Sequence, residues 1–291
     1  MKKDILSLLI ACIGCVGLFL GRSWTHIKWD APFRTLLWDE NLLKSFIETN
    51  TSFTWTAYVT SPIVDQFIQN LIIGFGWFYL ICAFAAIGSF FLRKTPKSLT
   101  SLLLHVILSL GGIALVLLAG LYCKEKFYSV GQFFEYSCQF LSPIVLVLLL
   151  RSSISRKRLL LLLKIAIALT FTCHGLYAIG FYPRPGLFVD MTINILHVNE
   201  ANAILFLKVA GVLDFVLSFL IFVPRFAKPA LLYAILWGSL TALARLVANF
   251  YWDSLDHTFG YWFWEMLYRI PHAAFPLLAL LITKEIEEKS S

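Results

Sequence analysis

The chain has 291 residues, of which 59% are hydrophobic, 16% aromatic and only 14% charged, against roughly one-quarter charged in soluble domains. A soluble fold of this size must cover its surface with polar side chains, so the composition excludes soluble enzymes and nucleic-acid-binding modules. The net charge of +7 falls in short basic clusters between apolar runs, where it reports membrane orientation rather than a polyanionic partner.

Taken in chain order, apolar runs lie near 5–22, 71–92, 101–122, 132–150, 158–182, 203–223, 230–250 and 261–283. Each is long enough to cross hydrocarbon about 30 Å thick, which takes about 20 residues. They predict an all-α integral membrane protein with eight transmembrane helices. The opening Met-Lys-Lys-Asp resembles the start of a signal peptide, and Leu9-Ile10-Ala11-Cys12 resembles a lipoprotein cleavage site. The apolar stretch before Cys12 is short and no small-x-small site precedes Arg22, so this run is expected to remain as the first helix.

Residues 23–70 form a long outward loop, with Arg22 at its edge. From Pro32 this loop reads as an extracytoplasmic amphipathic helix. Phe33, Leu36, Leu37, Leu43 and Ile47 lie on one face, and Trp24, Trp29, Trp38 and Trp55 surround it, as in a lid on the membrane surface. Ser61-Pro62 then supplies an N-cap and first-turn proline for the second helix. Lys2, Lys3, Arg93, Lys94 and Lys97, the cluster Arg151 to Arg158, Arg225, Lys228, Lys284 and Lys289 all fall on one side. The positive-inside rule makes that side, with both termini, cytoplasmic in a multi-pass protein of a bacterial inner membrane. The lipid bilayer and other membrane subunits are the expected partners.

The eight runs divide into two parallel four-helix repeats, 1–151 and 152–291, the second carrying the polar pocket. Gly21 followed by Pro32 matches Gly175 followed by Pro185. Gly131 to Glu135, Gln139 and Pro143 match Gly260 to Glu265, Arg269 and Pro276.

Ionisable groups in spanning helices are costly, so they nominate the site. The first repeat has only His105, Glu135 and Gln139, while the second has His174, Lys208, Asp214, Arg245, Glu265, Arg269 and His272. Helix rise places His174, Arg245, Glu265 and Arg269 in the outer half and Asp214 and His272 near the middle, which predicts one outward-facing pocket. Asp214, Glu265 and His174 are the candidate proton-exchanging groups. Arg245, Arg269, His272, Gly175 and Asn249 are the candidate ligand-binding residues.

Glu265 and Arg269 stand at the i, i+4 spacing of a salt bridge, with His272 on the same face. Pro271 should leave a carbonyl in the preceding turn without its donor. This stripe suits an acid, an anion clamp and a proton carrier, and equally an ion pair that merely anchors its helix. Asp214 needs neutrality or a partner, and Arg245 on the next helix is the expected one. His174-Gly175 fits a ligand contact or a hydrogen-bonded contact between helices. Cys12-Ile-Gly-Cys15 lacks a second pair of ligands, so no metal site is expected there. Cys123 and Cys138, both at outer helix ends, are a candidate disulfide in an oxidising compartment. Phosphate-cradling glycine loops, nucleophile elbows, HExxH and CxxCH are absent from the sequence.

The stretch Lys164 to Ile282, with His174-Gly175, Gly211 and Asp214, Thr241-Ala-Leu-Ala-Arg245 and Glu265 to Arg269, resembles the DoxX-like group of four-helix membrane proteins. The whole chain then resembles a tandem DoxX-like protein whose first copy is degenerate at the polar positions. The resemblance implies quinone-linked redox function, with a quinone as cofactor, or assembly of membrane partners. The aromatic segment Trp29 to Arg34 with Trp38-Asp39-Glu40 has no counterpart in that group. Three functions follow: a pocket for a quinone-like amphiphile, a non-catalytic assembly scaffold, and a small-anion transporter that would use the paired repeats.

Overall fold

In the computed structural model, residues 2–96 and 98–289 are described, and Lys97 of the inward basic cluster lies outside them. The described residues form helices and connecting turns. Eight helices are long and apolar enough to cross a membrane: α1 Asp4–Lys28, α2 Pro62–Lys94, α3 Leu99–Glu125, α4 Val130–Arg151, α5 Arg156–Ile179, α6 Glu200–Leu220, α7 Pro224–Val247 and α8 Trp252–Glu288. This is the architecture of a multi-span membrane protein.

Short polar side chains start several of them. Ser61 accepts a hydrogen bond from the Val64 amide with Pro62 in the first turn, and Ser98, Ser155 and Asn199 cap α3, α5 and α6 in the same way. Gly180 ends α5 at φ +90°, a conformation that costs a residue with a Cβ. The helix α8 is irregular at its outer end, where a π-helical turn spans Thr258–Trp262. A break at Tyr268–Ile270 then precedes Pro271, the first residue of its long inner segment.

Two outward expectations are corrected. The first helix does not end before Arg22 but runs on to Lys28, and Arg22 is 1% exposed inside the bundle rather than at the edge of a loop. The helix continues because Arg22, Ser23, Thr25 and His26 are all buried against neighbouring helices. Secondly, the segment after Pro32 is three short helices, Arg34–Leu37, Glu40–Asn50 and Trp55–Thr60, instead of one amphipathic helix. Asp39 and Thr54 each restart the chain by accepting from the amide three residues on, so local capping overrides the longer periodicity. Phe33 and Ile47 are nevertheless buried on the inner face. Lys124 at the end of α3 ties this segment down through Asp39 and holds that carboxyl below the usual carboxylate range. Cys123 and Cys138 are separate thiols: Cys123 donates to the Ser129 carbonyl, and Cys138 is buried in α4.

The helices α1, α4, α5 and α8 form the centre, flanked by α2 and α3 on one side and by α6 and α7 on the other. Each half has the same neighbours: α1 packs on α2, α4 and α8, while α5 packs on α6, α8 and α4. At one end, Arg156 pairs with both Asp4 and Glu285, and Lys228 pairs with Glu287. The two terminal segments therefore share that end with the α4–α5 and α6–α7 turns. At the other end, Trp24 of α1 and Trp29 just after it both donate to the Gly260 carbonyl of α8, at 2.6 and 3.1 Å.

Close approach of α5 and α6 depends on two glycines. A Cβ built at Gly175 would lie 2.9 Å from the Gly211 carbonyl oxygen, and one at Gly211 would lie 2.9 Å from that of Gly175. Both obstacles are backbone, so a side chain must push the helices apart. Gly175→Leu is expected to cost about 1–3 kcal/mol or more by overpacking, read as a lower melting temperature and aggregation in fluorescence-detected size exclusion. A variant that runs and melts like the parent would refute this packing role.

Candidate functional site

A cavity of about 440 Å3 opens among α5, α6, α7, α8 and the short helix Gly186–Leu196. All of its lining residues come from the second half of the chain. Most are apolar, Phe171, Phe188, Met191, Phe206 and Leu240 among them, while His174, Asp214, Arg245, Arg269 and His272 supply the ionisable groups. The rim residues Ile195, Leu196, Phe206, Leu240, Leu243 and Val247 are exposed on the outside of the bundle, so the cavity opens sideways through an apolar mouth. In a membrane that mouth faces hydrocarbon.

Five of the sequence-nominated residues thus share one cavity, and three do not. Gly175 serves the α5–α6 contact. Asn249 donates from its side chain to the Arg245 carbonyl at 2.8 Å, and its own carbonyl accepts from Thr258, which fixes the outer end of α7. Glu265 lines a second cavity of about 350 Å3 nearer the outer end, together with Arg22, Thr25, Trp29, Asp30, Tyr122 and Tyr261.

The two cavities meet at an ion pair. Arg269 donates to the Glu265 carboxylate at 2.7 Å and also to the Glu265 carbonyl, so the pair is held at two points. Its acid faces the outer cavity and its base lines the inner one. Below it, His272 donates through Nδ1 to the Arg269 carbonyl at 2.9 Å, and its ring lies 5.4 Å from that of His174. His174 Nδ1 is 3.5 Å from a Glu135 carboxylate oxygen, and Gln132 donates to the other oxygen of Glu135. Glu135 comes from α4, so the first half contributes an acid to the polar cluster behind the inner cavity.

Arg22 anchors the outer side of this cluster. Its guanidinium donates to Gln139 at 2.7 Å and lies 3.8 Å from the ring centroid of Tyr268, with Tyr136 and Tyr122 at 5.2 and 5.7 Å. Aromatic faces and one amide thus receive a charge that, among the described residues, forms no ion pair. Arg22 and the three tyrosines are functional candidates that sequence reasoning passed over. The available signal was the spacing of Arg22, Thr25, His26 and Trp29, which is one helical face continuing past the apolar run.

Arg245 and Asp214 do not form the expected pair. Arg245 is 6% exposed, and its Nε has no hydrogen-bond partner; among the described residues its side chain makes no ion pair. The contact that remains is the Phe188 ring, 5.7 Å away. Asp214 is 3% exposed and its Oδ1 is likewise without a partner. Two ionisable side chains therefore line an apolar cavity with unmet hydrogen-bonding capacity. No group of three or more metal-ligating side chains occurs among the described residues. Comparison with protein-family models, curated proteins and solved structures returns no match to this chain.

Proposed function

We propose that this is a membrane protein that binds a hydrophobic or amphiphilic molecule in the inner cavity. The ligand is quinone-like in joining a compact head that accepts hydrogen bonds to a long apolar tail. The observation that carries this reading is the buried Arg245 guanidinium, unpaired in the described protein, at the polar end of a cavity whose mouth is apolar and opens sideways. An amphiphile entering from the bilayer would place its tail against Phe206, Leu240 and Leu243 and its head at Arg245, Arg269, His174 and His272. Asp214 and His174 line the cavity as proton-exchanging groups for such a head, and Glu265, paired with Arg269 on the side of the outer cavity, is the third candidate.

Tandem repetition of a DoxX-like unit is part of this proposal. Its support is the shared neighbour pattern of the two halves and an exchange of contacts between them. Trp29, after the first helix of one half, reaches Gly260 at the start of the other half's fourth helix. Tyr182, after the first helix of the second half, reaches the Gly131 amide in the same way. The basic clusters at the shared terminal end support cytoplasmic termini, an outward lid of short helices and an inner-membrane location.

The test is mass spectrometry and ultraviolet spectroscopy of organic extracts from detergent-purified protein. The native chain is expected to carry a stoichiometric amphiphile, and Arg245→Gln and His174→Ala at least about tenfold less, the loss of one charge-assisted contact. Equal, substoichiometric extracts from all three would overturn the reading. A scaffold role is the second reading. It is favoured by the Arg22, Gln139, Glu265 and Arg269 network, in which Arg22 donates to Gln139, Arg269 pairs with Glu265 and both guanidiniums lie against the Tyr268 ring.

A further inference from the structure

The charged side chains around the two cavities are not all partnered, and the unpartnered guanidinium has a location. Three arginines, Arg22, Arg245 and Arg269, lie at the two cavities with four acids, Glu135, Glu265, Asp214 and Asp30, the last of which pairs with Arg34. Glu265 is engaged by Arg269, and Glu135 by Gln132 and His174. Arg22 is accommodated by Gln139 and three tyrosine rings. Among the described residues Arg245 makes no ion pair: Glu265 and Glu135 act on it only at longer range, its ring contact is Phe188, and Asp214, which lines the same cavity, makes no ion pair with it.

A guanidinium stays charged at any accessible pH, so burial cannot be relieved by losing a proton as it can for lysine. A buried guanidinium without an anion is strongly unfavourable unless something supplies the counter-charge. The unpaired guanidinium lies at the polar end of a cavity of about 440 Å3 with an apolar mouth. That volume is large enough for a head and the first part of a tail.

We infer that the cavity selects amphiphiles with an anionic head, a carboxylate or phosphate monoester that pairs with Arg245, over uncharged ones of the same tail length. The inference rests on the amphiphile-binding reading of the cavity and adds the charge of the head. Arg245 offers a planar fork of donors, which a carboxylate or phosphate accepts in two bonds and a quinone carbonyl accepts in one.

The experiment is a thermal-shift titration of the full chain, purified in a non-ionic detergent and stripped of bound lipid. Palmitate and hexadecyl phosphate are compared with methyl palmitate, a decyl-substituted benzoquinone, acetate and inorganic phosphate. The expected result is at least about tenfold tighter binding of the two anionic amphiphiles than of either uncharged one. Acetate and phosphate without a tail should give no shift. In Arg245→Gln the preference should disappear, and in Arg245→Lys part of it should remain; if the Gln variant does not fold, the Lys variant alone must show a reduced preference. Equal binding of charged and uncharged amphiphiles would overturn the anionic head while leaving the amphiphile site standing. No shift with any amphiphile would overturn both. A shift with acetate or phosphate alone would overturn both in favour of a small-anion site.

Discussion

Arg269→Leu is expected to be the most damaging single change in the polar cluster, and adding Glu265→Leu should restore much of what it removes. In the native protein Arg269 satisfies the Glu265 carboxylate and carbonyl at once, and its guanidinium lies over the Tyr268 ring at 4.5 Å. Removing the arginine leaves a carboxylate in a low-dielectric interior, a loss of about 3–5 kcal/mol for a buried pair broken on one side. Replacing both partners with leucine removes the stranded charge, and such exchanges are often neutral or stabilising. In a chain of this size about 1 kcal/mol corresponds to a melting-temperature change of roughly 2–4 °C. The single variant should therefore melt at least about 6 °C below the parent, with the double variant above the single. A double-mutant cycle by scanning fluorimetry measures this directly. A double variant that melts below both singles would show that the pair does not act as a unit. In that case Glu265 would have to be satisfied from the outer cavity, where Arg22 is its basic neighbour.

The membrane-spanning helices were legible in the sequence because hydropathy is a local signal: each of the eight apolar runs falls on a spanning helix, although 158–182, 203–223 and 230–250 overrun the helix ends at Ile179, Leu220 and Val247. Helix ends were less legible where polar residues continue a helix into protein rather than water. Arg22, Thr25 and His26 read as a loop because the sequence does not say that α2, α4 and α8 wait to bury them. The outward segment failed for the opposite reason. Its apolar periodicity is real, but Asp39 and Thr54 cap new helices inside it, and a cap needs only its own neighbours. For the site, i, i+4 spacing was enough to place Arg269 on Glu265, both being on one helix. Pairing between helices was not readable. Asp214 and Arg245 sit at compatible depths yet make no ion pair, while Glu135, assigned to a nearly neutral first half, meets His174 of the second. Depth follows from counting residues along one helix, whereas partnership depends on the rotation of two helices about their axes, which the packing of the whole bundle sets.

Arg245→Leu is expected to do the reverse of Arg269→Leu: raise the stability of the stripped protein while removing its capacity to retain ligand. The two arginines line the same cavity, but only Arg269 has a carboxylate partner. Leucine at 245 would fill part of a largely apolar wall and delete a buried charge whose Nε has no acceptor. Replacing a whole buried ion pair with hydrophobic residues often gains about 1–4 kcal/mol, and deleting this unpaired charge is expected to gain on that order, or roughly 2–16 °C in melting temperature for a chain of this length. The hydrogen bond from Asn249 goes to the backbone carbonyl of residue 245 and survives the substitution, so the outer end of α7 should keep its anchor. With ligand bound the order should invert, because occupancy stabilises the native chain by mass action and leaves the variant unchanged. Comparing melting temperatures of stripped and ligand-saturated protein for both chains separates the two contributions. A stripped Arg245→Leu protein less stable than the stripped parent would mean that the guanidinium holds the helices together. A site shaped by selection for binding tolerates an unmet charge that a purely structural position would have lost, because the penalty is recovered only when the ligand arrives.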